Sequence, residues 1–157
     1  MKLITDMQFA ALNTRIRQCL VANPSACTGC RTCETVCSLV KTGRIFPERA
    51  RLRIDRDPFE GRFVPQVCHQ CSIPYCMNAC PKEAIGISKK DGTVLIDGGR
   101  CDGCALCREA CPYGMIRIDN EQKKAFKCDL CGGHPQCLKV CPMNALGIAF
   151  YRGREQP

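Results

Sequence analysis

The sequence predicts a small α+β fold, rich in loops and held together by metal more than by a large apolar core. Three observations lead there. Cysteine fills 17 of 157 positions, and all but one fall into four runs of related spacing. Short apolar pairs at strand spacing recur after the runs, several joined by polar turns. Six Phe, three Tyr and no Trp make a thin aromatic core, one that would bury surface poorly by itself.

Seventeen cysteines could indicate disulfides, but these belong to oxidising compartments. The N-terminus, Met1 to Phe9, shows no basic region followed by a long apolar core and a small-residue cleavage site, and it has no twin-arginine pair. No uncharged apolar run approaches the length of a membrane span. The expectation is a cytoplasmic protein whose thiols stay reduced for metal binding. A formal charge of +8 points at first to nucleic acid. That count omits the anionic cofactor that the runs imply, so the basic excess reads equally as a counterweight to it.

Residues 1 to 26 precede the runs, and Met7, Leu12 and Ile16 form a weak helical pattern, with Cys19-Leu20-Val21-Ala22 after it. This segment reads as an extension that packs on the body or on a partner. Cys19 lies outside every run and reads as a buried thiol, with a stray ligand or reactive thiol as the alternative.

The first run is Cys27-x2-Cys30-x2-Cys33-x3-Cys37, followed by Ser38 where the other runs have proline. A linker to Val67 contains the alternating Arg51-Leu52-Arg53-Ile54-Asp55-Arg56, a strand signal whose Arg face reads as a solvated edge or a guide for an acidic partner. The second run, Cys68-x2-Cys71-x4-Cys76-x3-Cys80-Pro81, is enlarged by two residues around Tyr75, which packs on the loop or covers what the loop holds. The third, Cys101-x2-Cys104-x2-Cys107-x3-Cys111-Pro112, has the spacing with which thiolates ligate [4Fe-4S] clusters, the fourth ligand serving a second cluster. The fourth, Cys128-x2-Cys131-x5-Cys137-x3-Cys141-Pro142, is enlarged by three residues. Its His134, like His69, reads as an ordinary loop residue, since the cysteines complete the ligand sets.

Repetition extends past the ligands. Ile85 and Ile87 follow the second run, Ile116 and Ile118 the third, and Leu146 and Ile148 the fourth, each pair at the same offset. After the first run this register is delayed to Leu52 and Ile54. Each unit is therefore a ligand loop, a short helical turn and a strand. Hairpins are expected where Lys89-Lys90-Asp91-Gly92 joins Ile85–Ile87 to Val94–Ile96, and where Asp119-Asn120-Glu121-Gln122 joins Ile116–Ile118 to Ala125–Phe126.

Four [4Fe-4S] clusters in so short a chain suggest an electron conduit. The rival from another class is a zinc-binding nucleic-acid module, because C-x2-C pairs also bind zinc. Against it stand the third cysteine of each run, the recurrent C-x3-C-P, and the lack of a basic helix or interleaved stacking aromatics. No nucleophile with a base and no phosphate loop marks a substrate site, so an enzyme in its own right is not expected.

The four runs, enlarged in the second and fourth and separated by a long linker after the first, resemble the four-cluster electron-transfer subunits of dimethyl-sulfoxide-reductase-type complexes over residues 27 to 150. The stretch from Cys37 to Arg51 is similar to the ferredoxin-like subunits that accompany tungsten-dependent aldehyde oxidoreductases. The resemblance implies four ligand sets. They are Cys27, Cys30, Cys33 with Cys141; Cys37 with Cys128, Cys131, Cys137; Cys68, Cys71, Cys76 with Cys111; and Cys80 with Cys101, Cys104, Cys107.

It further implies two pseudo-symmetric, ferredoxin-like halves of two clusters each, nested in sequence. The outer half takes residues 27–60 and 115–157 and the inner half residues 61–114, after an extension of residues 1–26. Sequential pairing of first run with second and third with fourth is the alternative. The partners implied are a catalytic subunit, a tungsten or molybdenum pterin enzyme that oxidises aldehydes, and an acceptor subunit or soluble carrier. A formate dehydrogenase, hydrogenase or carbon monoxide dehydrogenase is the alternative catalyst. Head-to-tail self-association of a chain with docking sites at both ends is a further expectation.

Overall fold

A computed structural model of the protein describes residues 16–152. Regular structure is sparse among them. Three helices are single turns, α2 (Tyr75–Asn78), α3 (Leu106–Glu109) and α4 (Gln136–Lys139), each carrying the third cysteine of its run. The first run instead carries α1 (Thr32–Thr42), eleven residues long. The difference has a local cause. Proline directly after the last cysteine removes an amide donor and stops the helix in the later runs, whereas Ser38 lets it continue until Gly43, at φ 73°, whose N–H donates to the Leu39 carbonyl at 2.8 Å.

The strands pair only as two-stranded antiparallel ribbons. β2 (Arg53–Arg56) pairs with β3 (Phe63–Gln66), β4 (Ile85–Ile87) with β5 (Val94–Ile96), and β6 (Arg117–Asp119) with β7 (Lys124–Phe126). The last two are the hairpins that the polar turns predict. β1 (Arg17–Ala22) pairs with β8 (Leu146–Tyr151), register Cys19↔Ala149. Met7 and Leu12 of the helical pattern lie outside the described residues, and Arg17–Ala22, which follows it, is a strand, because β8 has no sequence-local partner and the buried Cys19 and Leu20 lie along its edge. Cys19 is a buried thiol, 3% exposed.

Two apolar cores form. One gathers Leu20, Ala50, Leu52, Ile54, Val67, Met115, Leu130 and Leu146 around Cys33, Cys37, Cys68, Cys128 and Cys137. The other gathers Ala84, Ile85, Val94, Ile116 and Ala125 around Cys101 and Cys107. α1 packs on α4, and α2 on α3. No helix of the described residues is long and apolar enough to cross a membrane.

The Arg face of the linker is not a free edge. Arg49 pairs with Asp119 at 2.8 Å and Glu121 at 2.7 Å, Arg51 with Asp129 at 2.8 Å, and Arg53 donates to the Gly114 carbonyl at 3.1 Å. These side chains fasten β2 and the turn before it to the third and fourth runs.

In every run the residue before the second cysteine is left-handed: Gly29 (φ 72°), Gln70 (φ 50°), Gly103 (φ 76°) and Leu130 (φ 53°). The requirement is sharpest at Gly103, where an added Cβ would stand 2.2 Å from the Lys123 carbonyl oxygen. Gly103→Ala combines a left-handed penalty of about 1–2 kcal/mol with overpacking of about 1–3 kcal/mol. Gly29→Ala meets the ring of Phe63 at 2.5 Å, and that side chain can turn aside. Thermal unfolding of the metal-loaded variants is expected to show the larger loss at position 103, and equal losses would contradict this reading.

Candidate metal centres

Each ligand loop reverses the chain through its left-handed residue and then enters its helix, so the first three cysteines of a run face inward around one space. In the last three runs the fourth cysteine lies just past the helix and lines the cavity of another run, whereas Cys37 stays within α1. A second left-handed residue, three positions after that fourth cysteine, aims the next amide back at its sulfur. Glu83, Gly114 and Asn144 have φ of 49°, 60° and 49°. Ala84, Met115 and Ala145 then donate N–H to the sulfurs of Cys80, Cys111 and Cys141 at 3.3, 3.4 and 3.2 Å. In the first run this role passes across the insertion to Arg51, which donates to Cys37 Sγ at 3.2 Å. The delayed register at Leu52 is thus a delayed sulfur hydrogen bond. Amides of Ala125 and Leu130 serve Cys101 and Cys128 at 3.3 and 3.4 Å.

The structure brings sulfurs from different runs to common cavities. Cys27, Cys30 and Cys33 line one with Cys141, closed by Ile54, Pro65 and Leu146. Cys101, Cys104 and Cys107 line a second with Cys80, beside Ala84, Ile85 and Ala125. Cys68, Cys71 and Cys76 line a third with Cys111, beside Pro74, Val94, Tyr113, Ile116 and Lys127. Cys37, Cys128 and Cys137 lie together in the first core, and Cys131 stands close enough to act on Cys37 and Cys137.

Electrostatics explains why these groups need metal. Burial pushes the thiols of Cys33, Cys76, Cys128 and Cys137 up to about 12. Neighbouring sulfurs add to this, Cys68 upon Cys128 and Cys37, Cys131 and Cys33 upon Cys137. Thiolates so placed require a cationic core to compensate them. Cys30, at the surface, is held below the ordinary thiol value by hydrogen bonding from Thr32, whose Oγ1 donates at 3.5 Å. All seventeen cysteines are free of disulfides.

The donor set suits a polynuclear core. No three described thiol, imidazole or carboxylate groups converge on a position fit for a single ion. Four thiols spread around a cavity, with amides directed at the sulfurs, instead match one thiolate per iron of an iron–sulfur cluster. Such a cluster supplies one-electron transfer.

Several groups carry no sequence signal of their role. His69 stacks on Tyr113, ring centroids 3.9 Å apart, and desolvation holds the imidazole below its usual value. Tyr75 is 53% exposed beside its loop. Gln70 and Lys127 are buried next to ligands, where periodicity would place them in solvent. The one hint in the sequence is that Gln70 stands before the second cysteine of its run, where the first and third runs have Gly29 and Gly103.

Residues 59–150 match the 4Fe-4S dicluster domain family, and residues 24–43 match a 4Fe-4S binding domain. The chain is 40% identical over 122 residues to the aliphatic sulfonate oxidoreductase, polyferredoxin-like subunit of Pyrococcus furiosus, covering 78% of this chain and 70% of that one. It is 34% identical over 142 residues to the probable anaerobic dimethyl sulfoxide reductase chain YnfG of Escherichia coli, covering 78% and 68%. Among solved structures, the active site complex BamBC of benzoyl coenzyme A reductase with 1,5-dienoyl-CoA has a chain 27% identical, with a TM-score of 0.54, covering 92% of this chain and 81% of that one.

Proposed function

The chain belongs to the 4Fe-4S dicluster domain family, and from that premise we propose that it relays electrons through four [4Fe-4S] clusters between a catalytic subunit and an acceptor. It is an iron–sulfur electron-transfer subunit of an oxidoreductase complex and has no catalytic role of its own. The observation that carries the four-cluster reading is the lining of three cavities by three cysteines of one run and the last cysteine of another.

The ligand sets are Cys27, Cys30, Cys33 and Cys141; Cys37, Cys128, Cys131 and Cys137; Cys68, Cys71, Cys76 and Cys111; and Cys80, Cys101, Cys104 and Cys107. Two nested halves follow, an outer one of residues 27–60 with 115–157 and an inner one of residues 61–114. Ile116 and Ala125 of the outer half pack into the inner core. Proximity orders the path. Cys137 feels Cys33 and Cys37, which links the first two sets, and Cys128 feels Cys68, which links the second to the third. The third and fourth are joined where the second and third runs exchange Cys80 and Cys111. Exposed Cys30 and Cys104 put the outermost sets at the surface, where electrons enter and leave.

The partner best supported by the stretch from Cys37 to Arg51 is a tungsten or molybdenum pterin enzyme acting on aldehydes, in the reducing cytoplasm that free thiols require. Anaerobic purification with bound partners should return about sixteen iron and sixteen sulfide per chain for four clusters, with tungsten or molybdenum in the partner. Stoichiometric zinc without sulfide would refute the reading. Paramagnetic resonance tests the pairing: Cys141→Ser is expected to disturb the cluster of Cys27, Cys30 and Cys33, and a disturbance confined to the cluster of Cys101 would exclude the nested halves.

A further inference from the structure

Two cations are buried beside the third ligand set without a carboxylate among the described residues to match them. Arg17 is 2% exposed, and its Nη1 donates to the carbonyls of Cys71 at 3.3 Å and Ser72 at 3.4 Å. Its other neighbour, Tyr151, is a phenol that burial pushes up to about 12. Lys127 is 4% exposed, and its Nζ donates to the carbonyls of Val94 at 2.5 Å and Cys128 at 2.9 Å. Lys127 also lines the cavity bounded by Cys68, Cys71, Cys76 and Cys111, where its charge is the chief influence favouring the Cys76 thiolate, and it acts on Cys128 of the second set as well, though there behind the Leu130 amide. No described carboxylate forms an ion pair with either cation.

Cations at the other sets share a carboxylate or are more exposed. Lys41 and Arg51, beside Cys37, share Asp129 at 2.7 and 2.8 Å. Lys82, near Cys80, faces Asp102 at 3.7 Å and is exposed. Lys124 donates to the Cys101 carbonyl but is only half-buried. At Cys33 the charge that acts is negative, the buried Glu34, which faces Arg31 at 3.7 Å and whose Oε1 accepts from the Ile54 amide at 2.8 Å.

An unpaired charge in a low-dielectric interior is costly and acts strongly on whatever charge stands next to it. Among the described residues, the strong counter-charge beside Arg17 and Lys127 is the anionic cluster of the ligand set proposed above. We propose that Arg17 and Lys127 are the counter-ions of the cluster held by Cys68, Cys71, Cys76 and Cys111, and that they raise its reduction potential above those of the other three. That set is then the electron reservoir of the relay. One electron arrives from a neighbouring cluster, which is oxidised by the same amount, and no bond forms or breaks. The added negative charge is stabilised by two unscreened positive ones, as net charge tunes such potentials. This inference rests on the ligand sets proposed above.

The test is a redox titration of the anaerobically isolated complex followed by paramagnetic resonance, with the signal of this cluster identified by its change in Cys111→Ser. In the native complex that signal is expected to be reduced first. Lys127→Gln should lower its ratio of reduced to oxidised form at fixed potential at least tenfold, about 59 mV for a one-electron couple, and move the others less. Lys127→Arg, which keeps the charge, should retain the native value. No shift in Lys127→Gln, or an equal shift of all four signals, would overturn the proposal. So would a native signal that is not the first reduced, which decides the matter even where Lys127→Gln fails to assemble. Fewer than four clusters by iron and sulfide would instead overturn the function on which the proposal rests.

Discussion

Anaerobic removal of iron is expected to abolish the cooperative thermal unfolding of this protein and most of its native circular dichroism. The described elements cannot stand alone: three of their four helices are single turns, below the length at which a helix persists in water, and their strands form isolated two-stranded ribbons. Cysteines fill the centre of both cores, Cys33, Cys37, Cys68, Cys128 and Cys137 in one and Cys101 and Cys107 in the other. The apolar residues around them pack against the ligand loops, so withdrawing metal removes the middle of each core. Ligation in small metal-dependent domains contributes on the order of 10 kcal/mol, comparable with the roughly 5–15 kcal/mol of a whole domain. A stripped protein that kept a native spectrum and a sharp melt would show that the apolar cores suffice.

Gln70→Leu is expected to cost about 2–6 kcal/mol, from two buried backbone groups each left unpaired at about 1–3 kcal/mol. Gln70 is 1% exposed, its Nε2 donates to the Cys128 carbonyl at 2.8 Å, and its Oε1 accepts from the Val94 amide at 2.8 Å. Its own carbonyl accepts from the Tyr151 hydroxyl. One side chain from the second run thus joins the fourth run to β5, between the two cores. Leucine fits the space and offers neither bond. Denaturant unfolding of the iron-loaded protein measures the loss, and Gln70→Glu, which keeps the acceptor for Val94 but sets a buried carboxylate against the Cys128 carbonyl, should lose at least as much. A Leu variant as stable as the native protein would mean that the two backbone groups find other partners.

Both expectations turn on how local and distant constraints divide. The loops, the helical turns and two hairpins were legible because ligand spacing, proline after the last cysteine and polar turns act within a few residues. The same locality acts at Ser38, although no longer helix was expected there: the missing proline lengthens α1 to eleven residues. Distance decided the rest. Residues Arg17–Ala22 became a strand only because β8 lay beside them, more than a hundred residues along the chain. The Arg residues of the linker were turned inward by Asp119, Glu121 and Asp129.

By itself the sequence determined the chemistry, since sixteen thiols in four repeated loops admit iron–sulfur ligation and little else. Tertiary structure alone decided which last cysteine shares a cavity with which loop, and that Gln70, Lys127 and Arg17 stand buried among the ligands. The physical reason is that a loop's spacing fixes where three sulfurs lie relative to one another. The fourth sulfur and the surrounding field are set by packing between segments that no local pattern relates.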